Sequence, residues 1–254
     1  MKIYLCPSTV GCKSSSQFLT SFVVNDTVAI DAGSIGFLDD VDAQKRIKHV
    51  LISHTHIDHI ASLGSFIDNV WEPGETSPTI YCTEESAAVL RQHYFNGVIW
   101  PDVLNIPSPE SPYARLVEIE AGIEFEIEGL RITAVPVNHA VPTVGYIIAD
   151  TDSTFIFGAD SGATDLIWRE ANRIGNVKLV ALEVAFPTEC QDRADAAYHL
   201  TPDTFAAEVN KMDGSPTVLA IHLKPAFRER IERQLMNLGL PHVEVCRPSR
   251  VYVP

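Results

Sequence analysis

Within six positions, His54-Thr55-His56-Ile57-Asp58-His59, the chain places three imidazoles and a carboxylate. Imidazole is the commonest protein ligand for borderline transition metals, and a carboxylate adds a hard oxygen donor. So many polar groups in so short a stretch are costly to bury without a cation among them. The cluster follows an apolar run at 49–52 that reads as a buried strand, so it sits where a strand gives way to a loop. A solvated turn that happens to be rich in histidine is the bland alternative, and the ligand types outweigh it. The segment reads as a metal site.

One loop cannot supply two cations, so further ligands are sought at other strand exits. His139 follows an apolar strand at 131–137. Asp160 follows one at 154–157, in Gly158-Ala159-Asp160-Ser161-Gly162, and His222 ends the run Val218-Leu219-Ala220-Ile221. Each alone suits a hydrogen-bonded rim residue. With the histidine loop, the three make one coherent constellation.

These residues, in this order, resemble the ligand set of the metallo-β-lactamase superfamily, and the resemblance runs over nearly the whole chain. It implies an α/β fold, the αβ/βα four-layer sandwich of two mixed β-sheets with helices outside, and metals between the sheet edges. It further implies that His54, His56 and His139 hold one metal and that Asp58, His59 and His222 hold the second. By the same resemblance, Asp160 is expected to bridge them. The substrate range of such a fold is wide.

Two downstream motifs narrow the resemblance. Leu182-Glu183-Val184-Ala185-Phe186-Pro187 ends a strand, and Tyr198-His199-Leu200-Thr201-Pro202 precedes a helix cap. They are similar to the matching region of class II cyclic-nucleotide phosphodiesterases, which usually have glycine where Tyr198 stands. Thr20-Ser21-Phe22, Ile30-Asp31-Ala32-Gly33 and Ile221-His222-Leu223-Lys224-Pro225 also look like that family. The tRNA 3′-processing endonucleases are near relatives, but they have a histidine before the glutamate and a serine after the second histidine. Here those positions are Leu182 and Leu200.

The resemblance implies a binuclear metal-dependent phosphodiesterase that hydrolyses 3′,5′-cyclic AMP or GMP by attack of a metal-bridging hydroxide. Three residues are expected to be catalytic. Asp58 orients the hydroxide, His199 protonates the leaving oxygen, and Glu183 orients His199 and raises its pKa. A histidine at a helix start can instead serve only as a hydrogen-bond donor to a loop. The cofactors are two divalent ions, zinc first because the donor set is rich in histidine, then iron or manganese. Alternatives left open are an RNA or tRNA 3′-end phosphodiesterase, a lactone, thioester or β-lactam hydrolase on the same metals, and a binding protein that no longer catalyses. His49, His93 and His242 have no motif around them and read as structural. Cys190 lacks an evident base and is not taken as a nucleophile.

Composition sets the outer limits. The chain has 254 residues, 46% of them hydrophobic, which suffices for a core, and no linker-like shift divides it. Residues 1–254 therefore read as a single domain. With 33 acidic against 19 basic residues, the net charge of −14 opposes binding to long nucleic acid and favours a small phosphodiester as partner. No apolar run is long enough for a membrane span, and Pro7 interrupts the start too early for a signal-peptide core. Five scattered cysteines (6, 12, 82, 190 and 246) form no C-x-x-C pair and fit a reducing compartment. The chain is expected in the cytoplasm, and assembly into a homodimer is left open.

The elements that must position these groups follow from pattern. Strands are expected at 3–5, 18–25, 27–31, 49–52 and 79–82, with Asn25-Asp26 as a hairpin turn. A helix follows at 84–93, and the four prolines of 101–112 suggest an irregular loop. Strands are expected at 123–128, 130–135, 153–158, 178–184, 217–222 and 242–246. Helices are expected at 163–173, from Thr201-Pro202 onward, and at 226–238 with Gly239 as the stop. Strands first, then strands with helices, is an order that the chain runs through twice.

Overall fold

The computed structural model describes residues 1–8 and 16–254, so Cys12 lies outside the described residues. The chain divides into two compact units, one of Lys2–Glu120 with Pro248–Tyr252, the other of Ala121–Arg247 with Met1 and Val253–Pro254. Each contains a seven-stranded mixed sheet with helices, which is the α/β class with two mixed sheets expected from the sequence.

In the first unit the strands are β1 (Ile3–Leu5), β2 (Phe22–Val24), β3 (Val28–Ile30), β4 (His49–Leu51) and β5 (Thr79–Cys82). After a two-strand hairpin, β6 (Pro107–Ser108) with β7 (Ser111–Pro112), comes β8 (Arg115–Glu118). The strand Val251–Tyr252 closes the far edge beside β1. β1, β2 and β3 pair antiparallel, while β3, β4, β5 and β8 pair parallel. The turn between β2 and β3 places Asn25 (φ 49°) and Asp26 (φ 65°) in the pair of positive φ values that a type I′ turn needs. Parallel neighbours need crossovers, which run through α1 (Val41–Arg46), α2 (Ile57–Ile60), α3 (Leu63–Val70) and α4 (Glu84–Val89). α4 continues as a π-helical turn to Tyr94, so the helix expected at 84–93 is present. Leu63, Phe66 and Ile67, at helical spacing on α3, pack with Val50, Ile52 and Ile80 from the sheet.

Two expectations in this unit need correction. Strand β2 begins at Phe22 rather than at 18, because the backbone of Thr20 is committed elsewhere: its N–H donates to the Asp58 carbonyl and its own carbonyl accepts from Gly33. The proline-rich loop is not wholly irregular, since it holds the β6–β7 hairpin.

The second unit repeats the plan in the same order, antiparallel strands first and parallel strands after. Its strands are β9 (Glu124–Ile127), β10 (Leu130–Pro136), β11 (Val144–Ala149), β12 (Thr154–Phe157), β13 (Val177–Glu183), β14 (Thr217–Ile221) and β15 (Val243–Val245). β9 to β12 pair antiparallel, and β12 to β15 pair parallel. The helices are α5 (Leu166–Ile174), α6 (Gln191–Ala196), α7 (Pro202–Val209) and α8 (Arg228–Asn237). Ile167 with Ala171, Phe205 with Val209, and Ile231 with Leu235 give three helices an apolar stripe at i, i+4. The stripes cover Ile156, Val180, Leu182, Val218 and Ala220 of the sheet. Full burial stabilises each such Ile, Leu, Val or Phe by about 1.5–3 kcal/mol. α7 starts as expected, with Pro202 in its first turn and the Thr201 N–H donating to Thr204 Oγ1 at 2.9 Å.

Topology thereby sets the placement of polar residues. Parallel strands present their carboxyl ends on one edge of a sheet, where ligands of open α/β sheets collect. In the first unit Asp31 follows β3 and His54 follows β4. In the second, Asp160, Glu183 and His222 come at the ends of β12, β13 and β14. β10 runs in the same direction as β12, so His139 leaves at the same edge.

Candidate metal and catalytic residues

In the first unit Ser53 and His54 leave β4, and His56 is the N-cap of α2, whose single turn carries Asp58 and His59. His54 and His59 are fully buried, and the His54 ring lies 4.7 Å from that of His56 and 4.2 Å from that of His59. Backbone bonds pin the loop: Thr20 N–H donates to the Asp58 carbonyl at 2.9 Å and Ala32 N–H to the His59 carbonyl at 2.7 Å. Gly33 permits this approach, because a Cβ there would stand 2.2 Å from the Asp58 carbonyl oxygen.

Asp31 is the group beneath this loop, and motif reasoning gave it no role. It is fully buried, with φ at 58°. Its carboxylate accepts from Ser53 N–H at 2.8 Å, Ser53 Oγ–H at 2.8 Å and His59 Nδ1 at 2.6 Å. Burial pushes the Asp31 carboxyl above its usual range, while His59 and Ser53 pull it down. Since the Ser53 hydroxyl spends its proton on Asp31, its oxygen accepts from His54 Nδ1 at 3.0 Å. Both rings are thus held as Nδ1–H tautomers, with the lone pair on Nε2. A carboxylate behind the ring nitrogen is the usual partner of a metal-ligating histidine. The available signal was a lone carboxylate directly after an apolar strand.

In the second unit His139 Nδ1–H donates to the Tyr198 carbonyl at 3.2 Å, which puts its lone pair on Nε2 as well. Asp160 is buried, and its Oδ2 lies 3.2 Å from His222 Nε2. The His199 ring is 5.2 Å from that of His139 and stacks on that of His222 at 5.4 Å. One donor atom from each of His139, Asp160 and His199 falls within a 4.8 Å group. The backbone departs from common geometry around these residues: Ala159, Tyr198 and His222 have φ of 54°, 55° and 58°. Left-handed non-glycine residues concentrate at functional sites.

Glu183 and His199 form the pair expected from the motifs. His199 Nδ1 lies 2.5 Å from Glu183 Oε1, and Glu183 has no solvent exposure. The same carboxylate accepts from the backbone N–H groups of Ser161, Ala185 and Leu200 at 3.2, 3.0 and 3.3 Å. Burial, with the Asp160 carboxylate second, pushes the Glu183 carboxyl up to about 8 against the pull of His222 and the Leu200 and Ser161 N–H groups. With Nδ1 held by Glu183, Nε2 is the nitrogen that His199 can turn to a ligand.

The other polar candidates separate from these groups. His49 lies at the start of β4 with Nδ1 3.2 Å from the Tyr81 hydroxyl, and His93 is exposed on the π-helical turn. Cys190 is half-buried at the N-cap of α6. The donor set fits divalent transition metals on its own chemistry. His54, His59 and His139 carry Nε2 lone pairs fixed from behind, and Asp58 and Asp160 add hard oxygens.

Residues 37–223 match the family described as the beta-lactamase superfamily domain, and the chain belongs to that family. Its fold is the metallo-β-lactamase fold, with His and Asp groups that could hold metal ions. The chain is similar to a probable 3′,5′-cyclic-nucleotide phosphodiesterase of Yersinia pestis, 25% identical over 211 residues, 73% of this chain and 60% of that protein. It thus spans 60% of the length of that relative. A 3′,5′-cyclic-nucleotide phosphodiesterase of Aliivibrio fischeri is 23% identical over 251 residues, covering 81% of this chain and 74% of that one. Among solved structures, unliganded yeast PDE1 superposes with a TM-score of 0.80 over 98% of both chains at 15% identity, a likeness of fold.

Proposed function

We propose that the chain is a binuclear metal-dependent phosphodiesterase, and that its substrate is a small cyclic nucleotide, 3′,5′-cyclic AMP or GMP. The observation that carries the reading is the buried Glu183–His199 pair, with His199 Nδ1 2.5 Å from the carboxylate. An imidazole held by one nitrogen is suited to deliver a proton from the other. In this reading His54, His56 and His139 hold one cation, Asp58, His59 and His222 the second, and Asp160 both. Zinc is the first candidate for such a set of N and O ligands. When bound, the cations supply Lewis acidity at the phosphoryl oxygens and make water acidic enough to attack near neutral pH.

The chain's own residues do the rest. Asp31 and Ser53 hold the rings of His59 and His54 in the tautomer that a ligand needs, and the Tyr198 carbonyl does so for His139. Asp58 orients the attacking oxygen. His199 gives its Nε2 proton to the departing 3′ oxygen, and Glu183 balances the charge of the imidazolium. The attacking oxygen bonds to phosphorus as the P–O3′ bond breaks, and the protonated O3′ stays on the ribose as a hydroxyl of the nucleoside 5′-monophosphate. The names of the bacterial relatives support the cyclic-nucleotide reading. The net charge of −14 weighs against a long RNA substrate. Residues 1–254 act as one metallo-hydrolase domain in this reading, in the cytoplasm. No helix among the described residues is long and apolar enough to cross a membrane.

The test is product analysis after incubating the metal-loaded protein with 3′,5′-cyclic nucleotides, a tRNA precursor, a lactone and a β-lactam. The expected product is the nucleoside 5′-monophosphate. Turnover of only the lactone or β-lactam would remove the phosphodiesterase reading, and processing of only the tRNA precursor would move the substrate to RNA.

A further inference from the structure

β13 and β14 run parallel with Glu183 level with Ile221. The third residue beyond each strand end is Phe186 on one side and Lys224 on the other, and the register brings the two together. The Lys224 ammonium lies 5.2 Å from the centroid of the Phe186 ring. That ring is buried and lies 5.9 Å from the His199 ring and 6.0 Å from that of Phe227. The cation therefore stands one ring away from the proton-donating imidazole, at the edge where His199 and His222 stack.

What sets Lys224 apart is its aromatic contact beside His199. Carboxylates outnumber cations 33 to 19, and two other lysines are neutralised: Lys45 pairs with Glu72, and Lys211 holds Asp165 at 2.7 Å and Glu208 at 2.8 Å. Lys224 is only half-exposed, yet no carboxylate lies within ion-pair distance of it among the described residues, and its recorded side-chain contact is the aromatic face. A partly desolvated ammonium against a ring gains from the quadrupole but keeps donors unspent. An arriving anion can take them.

We propose that Lys224 is the anion anchor of the site, with Phe186 holding its ammonium on the His199 side to receive the non-reacting phosphoryl oxygens of the substrate. The proposal deepens the phosphodiesterase reading and rests on it. The anchor is a point charge on a flexible stem, so arginine can replace much of its effect and glutamine cannot.

The experiment uses the metal-loaded full chain and two chromogenic substrates, the anionic diester bis(p-nitrophenyl) phosphate and the neutral ester p-nitrophenyl acetate. Lys224→Gln should raise KM for the diester by about tenfold to a hundredfold, the range for losing a charged hydrogen bond. KM for the neutral ester and metal content by mass spectrometry should stay unchanged. Lys224→Arg should recover most of the diester KM. Calorimetric titration with inorganic phosphate should weaken in parallel in Lys224→Gln. Equal KM changes on both substrates, or unchanged diester KM and phosphate binding, would overturn the assignment. If the wild-type chain does not cleave the diester at all, the phosphodiesterase reading fails, while the phosphate titration still decides whether Lys224 binds anions.

Discussion

Two buried carboxylates each hold an imidazole by Nδ1, Asp31 on His59 at 2.6 Å and Glu183 on His199 at 2.5 Å, yet they are built differently. The remaining bonds of Asp31 come from one residue, Ser53, which in turn takes the Nδ1 proton of His54. One carboxylate therefore sets the orientation of two adjacent rings in a single loop. The remaining bonds of Glu183 come from backbone N–H groups of three separate segments, at Ser161, Ala185 and Leu200. That carboxylate stitches strand ends together and presents a single imidazole. The same pair chemistry thus suits a ligand-orienting hub in one place and, in the proposed mechanism, a mount for an acid in the other.

The largest effect is expected at the hub. Asp31→Ala leaves His59 Nδ1–H and the Ser53 N–H and hydroxyl without their acceptor in a dry interior, and each buried donor left unsatisfied costs about 1–3 kcal/mol. Metal affinity should fall by about ten- to a hundredfold as well, the usual effect of losing a supporting partner of a ligating histidine. Thermal unfolding and metal analysis check this; a variant with wild-type metal content would show that His59 is oriented by something else.

His199→Ala is expected to spare metal content and lower kcat on a cyclic nucleotide by about a hundredfold or more. The loss should shrink on a p-nitrophenyl diester, whose leaving group departs without a proton. Equal loss on both substrates would make His199 a phosphate-binding or pocket residue. Glu183→Gln should follow the same pattern more weakly and also lower the unfolding temperature. Whichever way the amide turns, its NH2 meets N–H donors that the carboxylate accepted.

Tyr198→Gly is a smaller test of how the second unit carries its strain. Its φ of 55° suits glycine, and the side chain is 42% exposed, so little burial is lost. A stabilisation of about 1 kcal/mol is expected, the usual cost of left-handed backbone in an L-residue. Because only the carbonyl of Tyr198 is used to hold His139, metal content should remain, and calorimetry with metal analysis separates the two effects. Smallest is the contrast between thiols. Burial pushes Cys82 up to about 12 and raises Cys6 as well, so neither ionises near pH 8 in the folded chain. Peptide mapping after mild alkylation should find Cys190, which is half-buried, modified before Cys6, Cys82 and Cys246.

Legibility followed the range of each signal. Apolar strands ending in polar residues showed most of the strand plan, because side-chain periodicity is local and burial in parallel strands leaves continuous hydrophobic runs. The Thr201-Pro202 helix start was equally local. The short helices α1 and α2 and the hairpin within the proline-rich loop were not visible, since elements of a few residues are set by packing more than by propensity. The truncation of β2 depended on bonds from Thr20 to a loop 38 residues further on in the numbering, which no local window contains.

The sequence by itself determined the inventory of chemistry: the histidine loop, the strand-end candidates His139, Asp160 and His222, and the Glu183–His199 pairing all follow from residue type, spacing and motif. Only the tertiary structure decided what stands behind those groups. Asp31 and His59 are 28 positions apart, and Phe186 and Lys224 meet only because β13 and β14 share a register. An orienting bond is a matter of ångströms and angles between distant segments, and a carboxylate after an apolar strand looks the same in sequence whether it holds a ring, caps a helix or faces water.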